Sequence, residues 1–451
     1  MTADTPHILL VNPWIDDFAA YDVWAQPMGL LWLAGRLRAR GYRLSYCDCL
    51  DRFHPRAPRS DPLARQGRGP YLKTPLPNPP GLEDIPRRYS RYGIREAWLR
   101  EDLAGLDPPD LILVTSMMTY WYPGLQATIA VLRQAFPRAP ILLGGIYATL
   151  CRKHAARTSG ADQVVPGPAD DRLLAQIGRM LGFEEGAGRE RLTPENPPYP
   201  AWDLRRQLTY LPVLTSLGCP FDCAYCASNV LQPRFRKRRP EAVVEEILYW
   251  HRETGVRDIV FYDDAFLVDA STHAVPILES IIRAGLPLRF HTPNALHIRG
   301  LDAELARLLF RAGFATLRLG LETAARRTPS AYDRKVDLED VVVAADHLRR
   351  AGFTARETGA YLLIGLPGEP IESAADSIRF VKAQGIRPIL AYYTPIPHTR
   401  LWEAALATSR YDLAADPVFC NNAILPCAPE SFSWQRLRRL KEMTRTGQQS
   451  A

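Results

Sequence analysis

The sequence predicts an α/β protein built from two successive β–α series, and three observations carry that prediction. Short apolar runs alternate with amphipathic stretches from His7 to the end of a first unit, 1–185. A second alternation of the same kind occupies 208–400, after a polar, proline-bearing stretch (186–207) that reads as a linker. At 451 residues the chain also exceeds what one ordinary core accommodates.

In the first series, His7 to Asn12 (HILLVN) is a short buried strand, Pro27 to Gly41 an amphipathic helix, and Tyr42 to Asp48 the next strand. The pattern resumes with a strand from Asp110 to Ser116, a helix from Gly124 to Phe136, a strand from Pro140 to Gly144, a helix from Tyr147, a strand around Val164 and a helix from Asp170 to Leu181. Such alternation gives a doubly wound, Rossmann-like (flavodoxin-like) parallel sheet with helices on both faces, whose ligands bind beyond the carboxyl ends of the strands. Residues 51–107 interrupt it. They are rich in proline, arginine and glycine, which argues against helix or central strand, so an irregular lid or interdomain clamp is expected.

In the second series, Leu211 to Ser216 reads as a strand running into a cysteine loop, and Pro240 to His251 as a helix with proline in its first turn. Strands follow at Asp258–Tyr262, Pro287–His291, Thr316–Gly320, Gly359–Gly365 and Ile389–Tyr393, separated by amphipathic segments. Residues 401–451 read as a short helical tail.

Composition is that of a globular protein, 47% hydrophobic and 23% charged. No signal pattern opens the chain and no apolar run reaches membrane-spanning length, so a cytoplasmic location without membrane partners is expected. The net charge of +7 concentrates at Arg234, Arg236, Lys237, Arg238 and Arg239, but no nucleic-acid recognition fold accompanies it. A small-molecule substrate is the expected partner. Eight cysteines without an export signal point to a reducing compartment, where thiols ligate metals or stay free.

Three of them lie in Gly218-Cys219-Pro220-Phe221-Asp222-Cys223-Ala224-Tyr225-Cys226. A four-iron cluster normally takes four thiolates, so a loop supplying three leaves one iron open to bind a ligand. A structural zinc site would answer one close cysteine pair with a second, and none follows nearby. Packing as small hydrophobes accounts poorly for three cysteines on one Gly-Cys-Pro turn. Cys219, Cys223 and Cys226 are therefore the candidate metal ligands.

The C-x3-C-x2-C spacing, with aromatic Tyr225 before the last cysteine, resembles the radical S-adenosylmethionine (SAM) superfamily. The resemblance implies a [4Fe-4S] cluster whose open iron chelates SAM, and an electron donor such as flavodoxin or ferredoxin. Reductive cleavage of SAM would then give a 5'-deoxyadenosyl radical. It also implies that the second series forms a partial (β/α)6, TIM-type barrel.

Carried onto this sequence, the family's SAM contacts are Tyr225 and, after the second strand, Tyr262, Asp263 and Asp264. A carboxylate there accepts from SAM's ammonium, or caps a helix. Asn294, with His291 as a rival, would reach the ribose or the substrate. Arg318 and Glu322 lie in LRLGLE, which resembles the family's G-x-E segment. Arg334 would pair with SAM's carboxylate through its planar fork, with Arg326, Arg327 and Lys335 as rivals. Tyr361, Gly365, Leu366 and Pro367 belong to YLLIGLPGE, which matches the G-L-P-G-E segment flanking the adenine.

The first unit's strand-GG-x-x-A-T arrangement resembles the cobalamin-binding domain that precedes many radical SAM proteins, including cobalamin-dependent methylases. Its candidate corrin contacts are Thr115, Ser116, Met117, Gly144, Gly145, Tyr147, Ala148 and Gly167. The D-x-H-x-x-G motif that supplies a histidine ligand to cobalt is missing, and a GG turn serving only for packing is the competing reading. The resemblance implies cobalamin-dependent methylation of an unactivated carbon in a small or medium-sized metabolite. Radical rearrangement or cyclisation without methyl transfer is the alternative, and a non-catalytic metal- or corrin-binding protein a second.

Overall fold

The computed structural model of the protein describes residues 5–182, 198–324, 336–370, 372–429 and 432–445. It divides into two compact units, Met1–Thr209 with Asp416–Val418, and Tyr210–Ala415 with Phe419–Ala451.

The first unit is built on five parallel strands, β1 (His7–Asn12), β2 (Arg43–Asp48), β3 (Leu111–Val114), β4 (Ile141–Leu143) and β5 (Gln163–Val164), in the order β2-β1-β3-β4-β5. Side-chain alternation divides each central strand between two cores. Leu9, Val11, Ile112, Val114, Ile141 and Leu143 share one with the helix Tyr122–Ala135. Ile8, Leu10, Leu111, Leu113 and Leu142 face the helices Met28–Ala39 and Asp171–Leu181. Both faces being covered, β1, β3 and β4 read as unbroken apolar runs. The order reverses between β1 and β3, so a crevice opens there at the strands' carboxyl ends.

The 51–107 insertion is more regular than its composition suggests. Lys73–Pro75 and Ser90–Tyr92 join Ile15–Asp17 in an antiparallel three-stranded sheet, and Glu96–Ala104 is a helix. The prolines end at Pro86, so the last third of the insertion is free of the residue that excluded regular structure. Leu99 and Leu103 anchor its helix in the core. Buried ion pairs, Arg52 with Asp22 at 3.0 Å and Arg91 with Asp16 at 2.8 Å, hold the insertion's chain down. The described part of the expected linker also packs on this unit: Ala201 N–H donates to Leu31 O, and Trp202 is fully buried.

In the second unit, β6 (Leu211–Val213), β7 (Asp258–Phe261), β8 (Arg289–His291), β9 (Phe314–Glu322), β10 (Thr358–Ile364) and β11 (Arg387–Tyr392) pair in strict sequential order, all parallel. Helices occupy the connections, such as Pro240–Thr254 between β6 and β7. Phe261, Phe290 and Phe314 stack across β7, β8 and β9 with centroids 5.4–5.6 Å apart between neighbours. Among the described residues β6 and β11 do not pair, so the curl of strands stays open. The tail supplies two helices, Trp402–Thr408 and Trp434–Arg445, the second packed on β11 and on the helix Ser373–Ala383.

Candidate functional site

The cysteine loop starts at the carboxyl end of β6. Gly218 has φ +76°, and a Cβ there would lie 2.9 Å from the carbonyl oxygens of Gln232 and Arg234, so glycine is required where the chain turns into Cys219. A short antiparallel ladder, Ser216–Leu217 with Arg236–Lys237, closes the loop's base. Cys219 and Cys223 are buried, Cys226 is partly exposed, and none of the three is in a disulfide.

The two aspartates after β7 take different places. Asp263 is buried and points back at the loop's stem. Its carboxylate accepts from Thr215 N–H (3.0 Å), Thr215 Oγ1 (2.8 Å), Ser216 N–H (2.5 Å) and Ser216 Oγ (2.6 Å). Burial raises its pKa from the ordinary aspartate value, while those donors pull it down. Asp263 Oδ1 is thus committed to the loop's stem.

Asp264 is exposed at the mouth and faces the cysteines. Its Oδ2 accepts from Ser228 Oγ at 2.8 Å, and Ser228 Oγ lies 3.1 Å from Cys226 Sγ. Cys219 Sγ lies 4.0 Å from the Asp264 carbonyl oxygen. Asn294 Nδ2 donates to Tyr262 O at 2.7 Å and lies 3.4 Å from Asp264 Oδ1, so β7 and β8 bring Tyr262, Asp264 and Asn294 together.

Farther round the barrel, Tyr361 OH donates to Pro293 O at 2.8 Å, with its pKa raised by burial. Arg318 Nη1 donates to the carbonyls of Leu317 (2.9 Å) and Glu357 (3.1 Å), which turns that nitrogen away from a ligand carboxylate. Glu322 ends β9 at φ +64°, where the register against β10 shifts. A non-glycine residue held in the left-handed region carries backbone strain, which clusters at functional sites. Gly365, Leu366 and Pro367 form the buried turn after β10. Arg334 lies outside the described residues. His291 does not reach the mouth: it is fully buried, with Nε2 2.9 Å from Asp258 Oδ1.

In the first unit, a pocket sits at the crevice between β1 and β3. Ser116, Met117 and Tyr147 line it, as do Asn12, Trp14, Leu50, Met118, Trp121 and Tyr122, which the sequence did not single out. Tyr147 OH lies 2.7 Å from His154 Nδ1, and Tyr122 OH donates to Asp416 Oδ2 at 2.8 Å. Gly145 serves packing, since at φ +95° a Cβ would lie 2.3 Å from Ser116 O. Ser116 Oγ donates to Gly144 O at 2.6 Å and accepts from Ala148 N–H at 3.2 Å, stitching β3 to the turn after β4. Thr115 continues β3, its N–H bonded to Val11 O. A Cβ at Gly167 would meet nothing within 4 Å, and Gly167 is outside the pocket's lining.

Residues 213–381 match the Radical SAM superfamily model. This stretch of the second unit is a radical SAM domain. Among curated proteins, the chain is 29% identical over 246 residues to "Uncharacterized methyltransferase PH0819" of Pyrococcus horikoshii, covering 51% of this chain and 52% of that protein. It is 26% identical over 340 residues to the anaerobic magnesium-protoporphyrin IX monomethyl ester cyclase of Cereibacter sphaeroides, covering 68% of this chain and 54% of that one. The chain thus spans about half the length of these relatives. Among solved structures, the radical SAM methyltransferase TsrM of Kitasatospora setae, with cobalamin and a [4Fe-4S] cluster bound, shares the fold at TM-score 0.62 and 17% identity, covering 90% of this chain and 79% of that one.

The donor set suits the cluster that a radical SAM barrel holds. Among the described residues, no three His, Cys, Asp or Glu side chains converge as around a single ion. A cubane instead takes each thiolate at a separate iron, which one loop with three cysteines outside any disulfide can supply. Cys420 and Cys427 do not join them. Both are buried, with Sγ 3.9 Å from Leu413 O and 3.8 Å from Ala405 O, as packed thiols are. No histidine is among the residues lining the β1/β3 pocket.

Proposed function

We propose that this protein is a radical SAM enzyme that methylates an unactivated carbon of a small or medium-sized metabolite, using cobalamin. When bound, the cluster and SAM supply a hydrogen-abstracting radical, and cobalamin supplies a methyl carrier. Cys219, Cys223 and Cys226 hold the cluster. Asp264 accepts from SAM's amino group beside it, with Asn294 next to the other oxygen of the Asp264 carboxylate. Glu322 and the turn Gly365–Leu366–Pro367 flank the rest of SAM, and Arg334 pairs with its carboxylate. The β1/β3 pocket receives part of the corrinoid. An electron donor such as flavodoxin or ferredoxin feeds the cluster. The observation that carries this reading is the mouth of the second unit, where the cysteine loop, Asp264 and Asn294 meet at the carboxyl ends of β6, β7 and β8.

A second reading, radical cyclisation or rearrangement, is favoured by the similarity to a cyclase, which covers more of this chain than that to the methyltransferase. Anaerobic purification with iron, sulfide and hydroxocobalamin, followed by metal counting and nucleoside analysis, separates the two. Methylation yields S-adenosylhomocysteine together with 5'-deoxyadenosine and requires cobalt in the chain. 5'-Deoxyadenosine alone from a cobalt-loaded chain supports the second reading. Iron bound with no SAM cleavage under reductant refutes both.

A further inference from the structure

We propose that Arg400 is a clasp on the cysteine loop, a positioning residue that keeps the loop closed around its cluster and sets how slowly the irons leave. This rests on the cluster reading above. Among the described residues β6 and β11 do not pair, yet the segments that follow them meet. Asp222, just before Cys223, takes both contacts of the Arg400 fork: Nε lies 3.2 Å from Asp222 Oδ2, and Nη2 donates to the Asp222 carbonyl oxygen. Leu401 N–H then donates to Ala224 O at 3.0 Å. The segment after β11 therefore grips the loop on both sides of Cys223.

The backbone that presents Arg400 is itself fixed. His398, at φ +70°, turns the chain in the left-handed region, and Thr399 Oγ1 donates to Ile396 O at 2.7 Å. Thr399 and Leu401 are buried, whereas Arg400 is exposed and reaches back to the loop. On its other side the loop leans on the segment after β8, where the Phe221 ring stacks on His297 with centroids 3.8 Å apart. Two neighbouring segments thus hold the stretch between Cys219 and Cys226.

The Arg400 and Asp222 side chains are 56% and 72% exposed, so their pairing contributes little to global stability. Loop opening is a local event, and its frequency depends on the few bonds that it breaks. A planar guanidinium meets a carboxylate oxygen and a carbonyl oxygen together, which a compact ammonium cannot do in the same geometry. Arg400 therefore acts on the opening of the loop rather than on the unfolding of the unit. A cubane whose three thiolates come from one loop is lost through that opening.

The test is iron release from the anaerobically reconstituted chain, with iron counted first, to an excess of a ferrous-iron chelator, alongside urea unfolding of the same preparations. Arg400→Ala should release iron about fivefold faster, the upper end of what an exposed pair contributes, with its urea midpoint unchanged. Arg400→Lys keeps the charge without the fork and should recover less than half of the difference. Asp222→Ala leaves the carbonyl contact and should fall between wild type and Arg400→Ala, while the double variant releases iron no faster than Arg400→Ala alone. Salt at about 1 M should narrow the gap between wild type and Arg400→Ala, because exposed charges are screened. Equal release rates in the two, additive effects in the double variant, a gap that salt leaves unchanged, or a urea midpoint that falls in step with the rate overturns the clasp while leaving the cluster reading intact. A wild-type chain that takes up no iron refutes both.

Discussion

Replacing Asp263 with alanine strips the acceptor from four donors on Thr215 and Ser216. The two hydroxyls can rotate toward other partners, but the two backbone N–H groups cannot, and both residues are almost fully buried. Leaving a buried donor unsatisfied costs about 1–3 kcal/mol, so the pair costs about 4 kcal/mol. The loss falls on the segment that delivers Gly218 and Cys219, so Asp263→Ala is expected to lower both the urea midpoint and the iron retained per chain. Asp263→Asn keeps one oxygen but presents its amide to donors, and should recover about half the stability. Urea unfolding and iron counting on the same anaerobic preparations measure both effects. An Asp263→Ala protein within about 1 kcal/mol of wild type, with full iron, would refute the argument that this carboxylate fixes the cysteine loop.

Gly145→Ala places a methyl group against the Ser116 backbone at positive φ, and should destabilise the first unit by about 1–3 kcal/mol and reduce corrinoid uptake, read by urea unfolding and cobalt counting. His273 is buried with Nε2 2.9 Å from Thr215 Oγ1, and burial lowers its pKa to about 4. The unfolded chain binds this proton below about pH 6.5 and the folded chain only below about 4, so His273's contribution is complete above 6.5 and is lost as pH falls through that window. About 2 kcal/mol should disappear between pH 7 and 5, and His273→Gln should flatten that part of the pH–stability curve. Cys420→Ser and Cys427→Ser are expected to leave iron content unchanged while lowering stability, whereas Cys→Ala at 219, 223 and 226 together should abolish iron binding.

The sequence conveyed most where one physical rule dominated. β1, β3 and β4 are buried on both faces, so their apolar runs are unbroken and visible. The 51–107 insertion hid its helix because composition was averaged over a stretch whose prolines stop at Pro86. Tyr122 and Asp416 meet across nearly three hundred residues of chain, a pairing that no local pattern encodes. Asp263 and Asp264 are the instructive case, because they were distinguishable in principle. Asp263, two residues past the end of β7, is buried and Asp264 is exposed. The polar pair Thr215-Ser216, at the end of an apolar strand, also needed a buried acceptor. Two adjacent carboxylates thus divide the work: Asp263 holds the loop that carries the cysteines, and Asp264 remains at the mouth with Ser228 and Asn294. Exchanging their roles would bury a charge away from the Thr215 and Ser216 donors.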